Sequence, residues 1–340
     1  ILAESIRIQG EDKDEDKGEM IVDTTVQPKN ITFPTDDKLR KKIIHQCKKI
    51  AQEEGIKLPR TYQRELKRLS YLQRFRRTRE QRQQARKADK RILTIARNLV
   101  RQLKARLDEP GQERYRERIA PFERVLAQKK HDQDKVYSLH EPHVQCIAKG
   151  KAHVAYEFGT KVSFIIGKHS GIIYGALNIE KNDYDGHTLA AALEQFKALN
   201  GYRPRRVLAD LGYRGRKTVQ GVEVLTPDAL KRASGSQRYR LRRAMHRRSN
   251  VEATVSYLKR CHRLARNFYK GVAGDHYNVL LVAAAASFAR WMRAFLAFWA
   301  HVWRCVQGMW AKRGVFVGLE TALQRLQRMC LCPQARIQCL

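Results

Sequence analysis

The sequence predicts an α/β protein: a mixed sheet flanked by helices, with a basic helical insertion after the first strand and a helical C-terminal extension. Three observations predict it. Short apolar runs of strand length end in acids at Asp23 and Asp210. Two neighbouring runs, 156–166 and 171–177, read as strands of a β-hairpin joined around His169. From 37 to about 130 the residues are strongly basic, and within that tract Ile92, Ile95, Leu99, Leu103 and Leu107 recur at three- and four-residue spacing. The expected divisions are 1–36, 37–130, 131–290 and 291–340, with the first strand separated from the rest of its sheet by the insertion.

In chain order, Ile1 opens an amphipathic segment, Ile-Leu-Ala-Glu-Ser-Ile-Arg-Ile, in place of an initiator Met, so an N-terminally truncated chain is expected. An acidic loop at 11–19 precedes the strand at 21–26, and Pro28 and Pro34 end regular structure. Ile92, Ile95, Leu99, Leu103 and Leu107 then form a one-sided stripe, read as an amphipathic helix or helix pair interrupted by Pro59 and by Pro110-Gly111. The stretch 71–91 is rich in Arg and Gln and almost free of large apolar residues after Phe75. It reads either as a solvated helix or as a phosphate-binding arm, with Arg74, Arg76, Arg77 and Arg79 as candidate DNA contacts.

After the hairpin, Asp185-Gly186-His187-Thr188 reads as a helix start, Leu189, Leu193, Phe196 and Leu199 share one face, and Asn200-Gly201 stops the helix. A strand at 205–210, a short one at 222–225 and a basic helix from about Gln237 follow. That alternation is what a mixed sheet with flanking helices requires. The apolar region 279–310 is divided by Arg290, Arg293 and Arg304 into runs too short for a span of roughly twenty residues, which favours core helices over membrane. Phe295, Phe298, Trp299, Trp303 and Trp310 have helical spacing, as for packing against a neighbouring helix or a partner. Asp275 is expected to cap the helix that follows it.

Charge bounds the partner. Lys plus Arg number 68 against 34 Asp plus Glu, a net charge of +34, and the natural counterpart of such an excess is a polyanion. With 340 residues and 43% hydrophobic content the chain can still bury a substantial core, unlike short histone-like proteins. The seven cysteines (Cys47, Cys146, Cys261, Cys305, Cys330, Cys332, Cys339) include no matched Cys-x-x-Cys pairs, so neither a zinc site nor a disulfide framework is expected, and a reducing cytosol is the default.

The chemistry depends on where the acids stand. Asp210 follows Val-Leu-Ala and precedes Leu-Gly-Tyr-Arg-Gly, which places it at the carboxyl end of a strand, where sites of α/β folds are built. Residues four and seven apart share a helix face, so Arg248, Glu252 and Lys259 project together beside the apolar Val251, Val255 and Leu258. A carboxylate between two cations can face a phosphate. Asp23, Asp210 and Glu252 could together hold two magnesium ions that activate a water or a 3′-hydroxyl. Each signal also has an ordinary reading: an Asp after a strand is a common turn residue, and a Glu among basic residues a common surface ion pair. His187, His262 and His276 read as structural, Tyr213 either as a lid over the metal site, a stacking group for a base, or core, and Lys161 carries no assigned role.

Four strings in order, Ile-Val-Asp-Thr-Thr-Val-Gln-Pro-Lys-Asn-Ile-Thr-Phe-Pro-Thr-Asp, Tyr-Glu-Phe-Gly-Thr-Lys-Val, Ala-Asp-Leu-Gly-Tyr-Arg-Gly and Asn-Val-Glu-Ala-Thr-Val-Ser-Tyr-Leu-Lys, resemble bacterial insertion-sequence transposases of the Asp-Asp-Glu class, insertion-sequence-four/five superfamily. The resemblance covers roughly 1–290. It implies a ribonuclease H-like core and a metal-binding catalytic triad of Asp23, Asp210 and Glu252 with two Mg2+ (or Mn2+) ions. It further implies Arg248 and Lys259 at the transposon-end DNA, double-stranded DNA as partner and substrate, and a homodimer or higher multimer in the bacterial cytoplasm. Met245 departs from the family's Tyr-Arg-Glu-Lys signature, standing where the tyrosine belongs, and most of the helical DNA-binding region such chains carry before the first aspartate is not in this sequence. The expected activity is phosphodiester hydrolysis at element ends followed by strand transfer; the alternatives are an inert, DNA-binding relic and a nuclease of the same fold.

Overall fold

The computed structural model describes residues 1–8, 18–129, 131–150, 154–215 and 217–311; Cys330, Cys332 and Cys339 lie outside them. In chain order the elements are α1 (Leu2–Ile8), β1 (Glu19–Pro28), α2 (Asp36–Glu53), α3 (Gln63–Leu72), α4 (Arg79–Lys104), α5 (Glu109–Ala127), β2 (Gln145–Ala148), β3 (Tyr156–Gly167), β4 (Ile173–Ile179), α6 (Asp185–Asn200), β5 (Arg206–Leu208), a 3-10 turn (Leu211–Tyr213), β6 (Thr218–Val219), β7 (Val222–Leu225), α7 (Ala229–Arg232), α8 (Gly235–Arg248), α9 (Asn250–Cys261) and α10 (Gly271–Ala311). They form two compact units, Lys29–Gly159 and a second built from Ile1–Pro28 with Thr160–Leu340.

The Lys29–Gly159 unit contains the expected insertion, as four helices where the periodicity predicts one or two. Each start has a local cause. Thr35 caps α2 by accepting from the Lys38 amide, Thr78 and Gln81 close a capping box on α4, and Asp108 accepts from the Gly111 amide at the start of α5. Pro110 therefore begins a helix instead of interrupting one, since the first turn needs no proline N–H. The stripe Ile92, Ile95, Leu99 and Leu103 is fully buried and meets Ile43, Ile44, Cys47 and Ile50 of α2 in a separate core. Burial pushes the Cys47 thiol up to about 12, which makes it an inert core group. Strand β2 pairs antiparallel with the first residues of β3, and Lys29 and Glu141 form a buried ion pair at 3.2 Å.

The second unit carries the sheet. The hairpin is as expected: β3 and β4 pair antiparallel from Lys161↔Ile179 to Ile166↔Ile173. β3 neighbours β1, β1 pairs parallel with β5, β5 parallel with β7, and β7 antiparallel with β6. The central strands are covered on both faces and read as continuous apolar runs, Met20-Ile21-Val22 and Val207-Leu208-Ala209, all at most 2% exposed. Helix α6 packs on β4, and Gly201, at φ 79°, ends it as expected. This is the mixed, helix-flanked sheet of a ribonuclease H-like fold.

Helix α10 differs from expectation. It is one 41-residue helix, so the C-terminal extension expected from 291 continues a core helix. It begins at Gly271, which puts Asp275 inside the helix. Asp275 is not a cap; it is buried and accepts from Asn267 Nδ2 at 2.5 Å, while its carbonyl accepts from Gln27. Gln27 in turn accepts from Asn278, a buried polar network that fixes α10 to β1. Val279, Val282, Ala283 and Ala286 are buried, whereas Met292, Phe295, Phe298 and Trp299 are exposed. Arginine is a good helix former, so Arg290, Arg293 and Arg304 interrupt the apolar pattern without breaking the helix, and Arg293 lies over the Tyr257 ring at 5.2 Å. By length and composition Gly271–Gly308 is long and apolar enough to cross a membrane.

Candidate active site

Strand register brings two of the predicted acids together. Ile21 pairs with Leu208 in the parallel β1–β5 ladder, and Asp23 and Asp210 each lie two residues further along. Alternation sends them to the same face as Ile21 and Leu208, on strands about 5 Å apart. Asp210 stands just past the carboxyl end of β5, where it caps the 3-10 turn by accepting from the Gly212 amide at 2.8 Å.

Arg248 lies between the two aspartates. Arg248 Nη2 is 3.9 Å from Asp23 Oδ1 and 3.8 Å from Asp210 Oδ2, contacts at the outer limit of an ion pair. The acids at the opposite end of the same strands are better served. Glu19 is gripped by Lys168 and, at 2.9 Å, by Arg206, which also reaches Glu223 at 2.8 Å. Those partners overcome burial and hold the Glu19 carboxyl below its usual range. Asp23 behaves oppositely: burial, reinforced by Asp210 and Glu252 against the opposing charge of Arg248, raises it to about 6. Glu19 is thus drawn down by close cations, whereas Asp23, whose arginine stands 3.9 Å away, is raised.

Glu252 is exposed at the start of α9, a helix packed against β1, and its charge acts on Asp23. Arg248 and Glu252 do not share one helix. Ser249 ends α8 and begins α9, yet it keeps helical angles (φ −57°, ψ −24°), so the four-residue spacing still directs both side chains toward the strand ends. Val251 and Leu258 are buried, Val255 partly so, as the apolar stripe predicted. Lys259 lies in the last turn of α9, partly buried. Met245, at the position of the family's tyrosine, packs against the core.

An all-oxygen set of Asp23, Asp210 and Glu252 suits a hard divalent cation such as Mg2+. The electrostatics fit one: Asp23 is raised by burial, with the charge of Asp210 adding to the shift, and Arg248 stands within 4 Å of both carboxylates, where positive charge is needed. Among the described residues no three potential ligands already stand close enough to enclose an ion; Arg248 occupies the intervening space.

Sequence reasoning missed a third aspartate. Asp185, read there only as part of a helix start, opens α6 and reaches the Gly212 turn; a Cβ on Gly212 would lie 2.9 Å from its Oδ2 and 2.9 Å from Asp210 Oδ1. Lys161, unassigned from sequence, donates to Asp185 Oδ1 at 3.0 Å and to the Asp183 carbonyl at 2.7 Å. Nothing local announces this contact, because it exists only once α6 folds across the end of β5. Tyr213 is fully buried. Burial, then the charges of Asp185 and Asp23, hold its phenol far above the usual range.

The histidines keep structural surroundings. His187 is exposed, edge-on to Tyr184 at 5.6 Å. His262 packs on Tyr257 at 4.8 Å, its imidazole lowered by burial and by Arg293, and His276 lies 3.4 Å from Glu180. In the Lys29–Gly159 unit, Arg74, Arg77 and Arg79 are exposed, whereas Arg76 is paired with Asp89 at 3.0 Å and lies 3.9 Å from Asp37.

No curated protein and no solved structure matches the chain. The family model described as Transposase DDE domain matches residues 125–288, a segment that includes Asp210, Arg248 and Glu252, while Asp23, on the strand paired with β5, precedes it. Residues 125–288 are thus similar to the DDE domain of transposases.

Proposed function

We propose that the protein is a DNA transposase that hydrolyses the phosphodiester at insertion-sequence ends and transfers the resulting 3′-hydroxyl into target DNA, with Asp23, Asp210 and Glu252 as its metal-binding catalytic residues. The observation carrying this reading is the pair Asp23 and Asp210, each just past the last register pair of the parallel β1–β5 ladder and both within 4 Å of Arg248. Two Mg2+ or Mn2+ ions held there would supply Lewis acidity to the scissile phosphate and to the attacking oxygen. Asp23 and Asp210 present their carboxylates from rigid strands and so fix where the reacting phosphate sits. Glu252, on the solvent side, completes the set. Arg248, released from the two aspartates, is free to pair with a phosphate oxygen, and Lys259 extends the positive face along α9.

Double-stranded DNA is the partner that a charge of +34 favours. Arg74, Arg77 and Arg79, with Arg76 in reserve behind Asp89, form a separate basic surface for phosphate contacts, and the chain works as a homodimer or higher multimer on DNA in the cytoplasm. The test is incubation of the purified chain with duplexes carrying element ends and Mg2+. Nicking followed by joined strand-transfer product supports a transposase, nicking without joining a nuclease of the same fold, and binding without either a DNA-binding relic.

A further inference from the structure

Beyond the three acids above, the end of the sheet holds a fourth carboxylate whose setting is built for the same ion. Gly212 stands between Asp185 and Asp210. Two legs of 2.9 Å from its absent Cβ cap the separation of Asp185 Oδ2 and Asp210 Oδ1 at about 5.8 Å. Gly212 is not among the glycines with positive φ, so its backbone conformation is open to other residues. What the position requires is room, because any side chain would strike both carboxylates.

Two observations point from this cleft to a ligand. Asp185 is neutralised on one side only: Lys161 Nζ takes Oδ1 and leaves Oδ2 facing the Gly212 gap. Behind the gap the Tyr213 hydroxyl is fully buried with the Ser163 hydroxyl beside it as a hydrogen-bonding neighbour, and among the described residues neither reaches a partner at normal hydrogen-bond geometry. The charges of Asp185, Asp23 and Asp210 all act on the Tyr213 phenol, and an incoming cation would draw those carboxylates together.

We propose that Asp185 is a fourth carboxylate of the metal site, sharing a divalent cation with Asp210, and that Lys161 is the internal cation that neutralises Asp185 while the metal is absent. Lys161 then does for Asp185 what Arg248 does for Asp23 and Asp210. The inference rests on the metal-dependent reading of the site. It differs from a purely structural role, in which the Lys161–Asp185 pair pins the start of α6, because it makes metal affinity respond oppositely to the two partners.

The experiment is Mn2+ titration of the full chain without DNA, by calorimetry and by the electron paramagnetic resonance of free Mn2+. Asp185→Asn is expected to weaken Mn2+ binding about tenfold or more, or to lower its stoichiometry. Lys161→Gln is expected to tighten it several-fold, since the competing cation is gone. Asp210→Asn is the reference for a lost ligand. If Asp210→Asn loses Mn2+ while Asp185→Asn binds as the parent does, the fourth carboxylate is overturned and the three-acid site stands. If the parent protein does not bind Mn2+, both readings fall. Should Asp185→Asn fail to fold, Lys161→Gln decides: affinity unchanged or lowered refutes the competition, and with it the shared ion.

Discussion

Replacing Asp23 by Asn is expected to stabilise the folded protein while abolishing its chemistry. The carboxyl is raised from its ordinary 3.8 to about 6, and at 1.36 kcal/mol per pH unit that shift opposes folding by about 3 kcal/mol once the group is ionised. The folded chain therefore holds more protons than the unfolded chain between about pH 4 and pH 6. Stability is lost as pH rises through that window. An amide of the same shape carries no charge to desolvate and can still accept from the Thr24 amide, so the variant lacks this slope. The gap should be near zero at pH 4, open through pH 5 and reach up to about 3 kcal/mol at pH 7, less whatever attraction to Arg248 is given up. Urea denaturation followed by far-ultraviolet circular dichroism at pH 4, 5, 6 and 7 measures it. Millimolar Mg2+ should narrow the gap by stabilising the parent protein alone. An Asn variant less stable than the parent at pH 7, or a gap that does not change with pH, would refute the view that this acid is buried at a cost for the sake of a cation.

Three further outcomes follow from the geometry. Asp210→Asn should eliminate cleavage of element-end duplexes while leaving their binding intact or tighter in a gel-shift assay, since removing a negative charge lessens repulsion of phosphate; equal loss of both would indicate misfolding. Replacing Arg74, Arg77 and Arg79 by Gln should flatten the plot of log affinity against log salt by about 0.9 per lost contact, on specific and random duplexes alike, and adding Arg76→Gln should change it less because Asp89 already neutralises that guanidinium. An unchanged slope would shift the DNA surface to the helices bearing Arg248 and Lys259. Glu141→Gln should cost about 3 kcal/mol by removing a charge from the buried Lys29 pair, and a neutral result in thermal melts would show that Lys29 is accommodated by its other contacts.

What was legible in the sequence was whatever local pattern controls. The apolar runs before Asp23 and Asp210, the hairpin around His169 and the stripe of α6 all announce themselves, because burial on a strand or helix face dictates residue type at fixed spacing. The placement of Asp23 beside Asp210 follows from a parallel register that no local pattern encodes. Of the breaks in the insertion, the one before α3 was legible at Pro59, whereas the one at 73–78 was hidden because it falls in a polar stretch with no periodicity to lose. Asp185 was hidden for a different reason: a helix-start Asp is so common that its reach across Gly212 to Asp210 is invisible until α6 is folded over β5. The one-residue break at Ser249 was equally silent, since helical angles persist through it.

The parallel pairing of β1 with β5 also sets a timetable. Ile21 and Leu208 are register partners 187 positions apart, and at about 5–20 residues per second a ribosome needs roughly 10–40 s to deliver the second after the first. Throughout that interval the apolar strand carrying Asp23 has emerged without β5, its parallel partner, whereas the Lys29–Gly159 unit is contiguous in sequence, has its own core and can close as soon as it is synthesised. The Asp23–Asp210 pair is thus among the last parts of the molecule to assemble, and a chain interrupted before Leu208 would display the basic helical unit with that pair unformed.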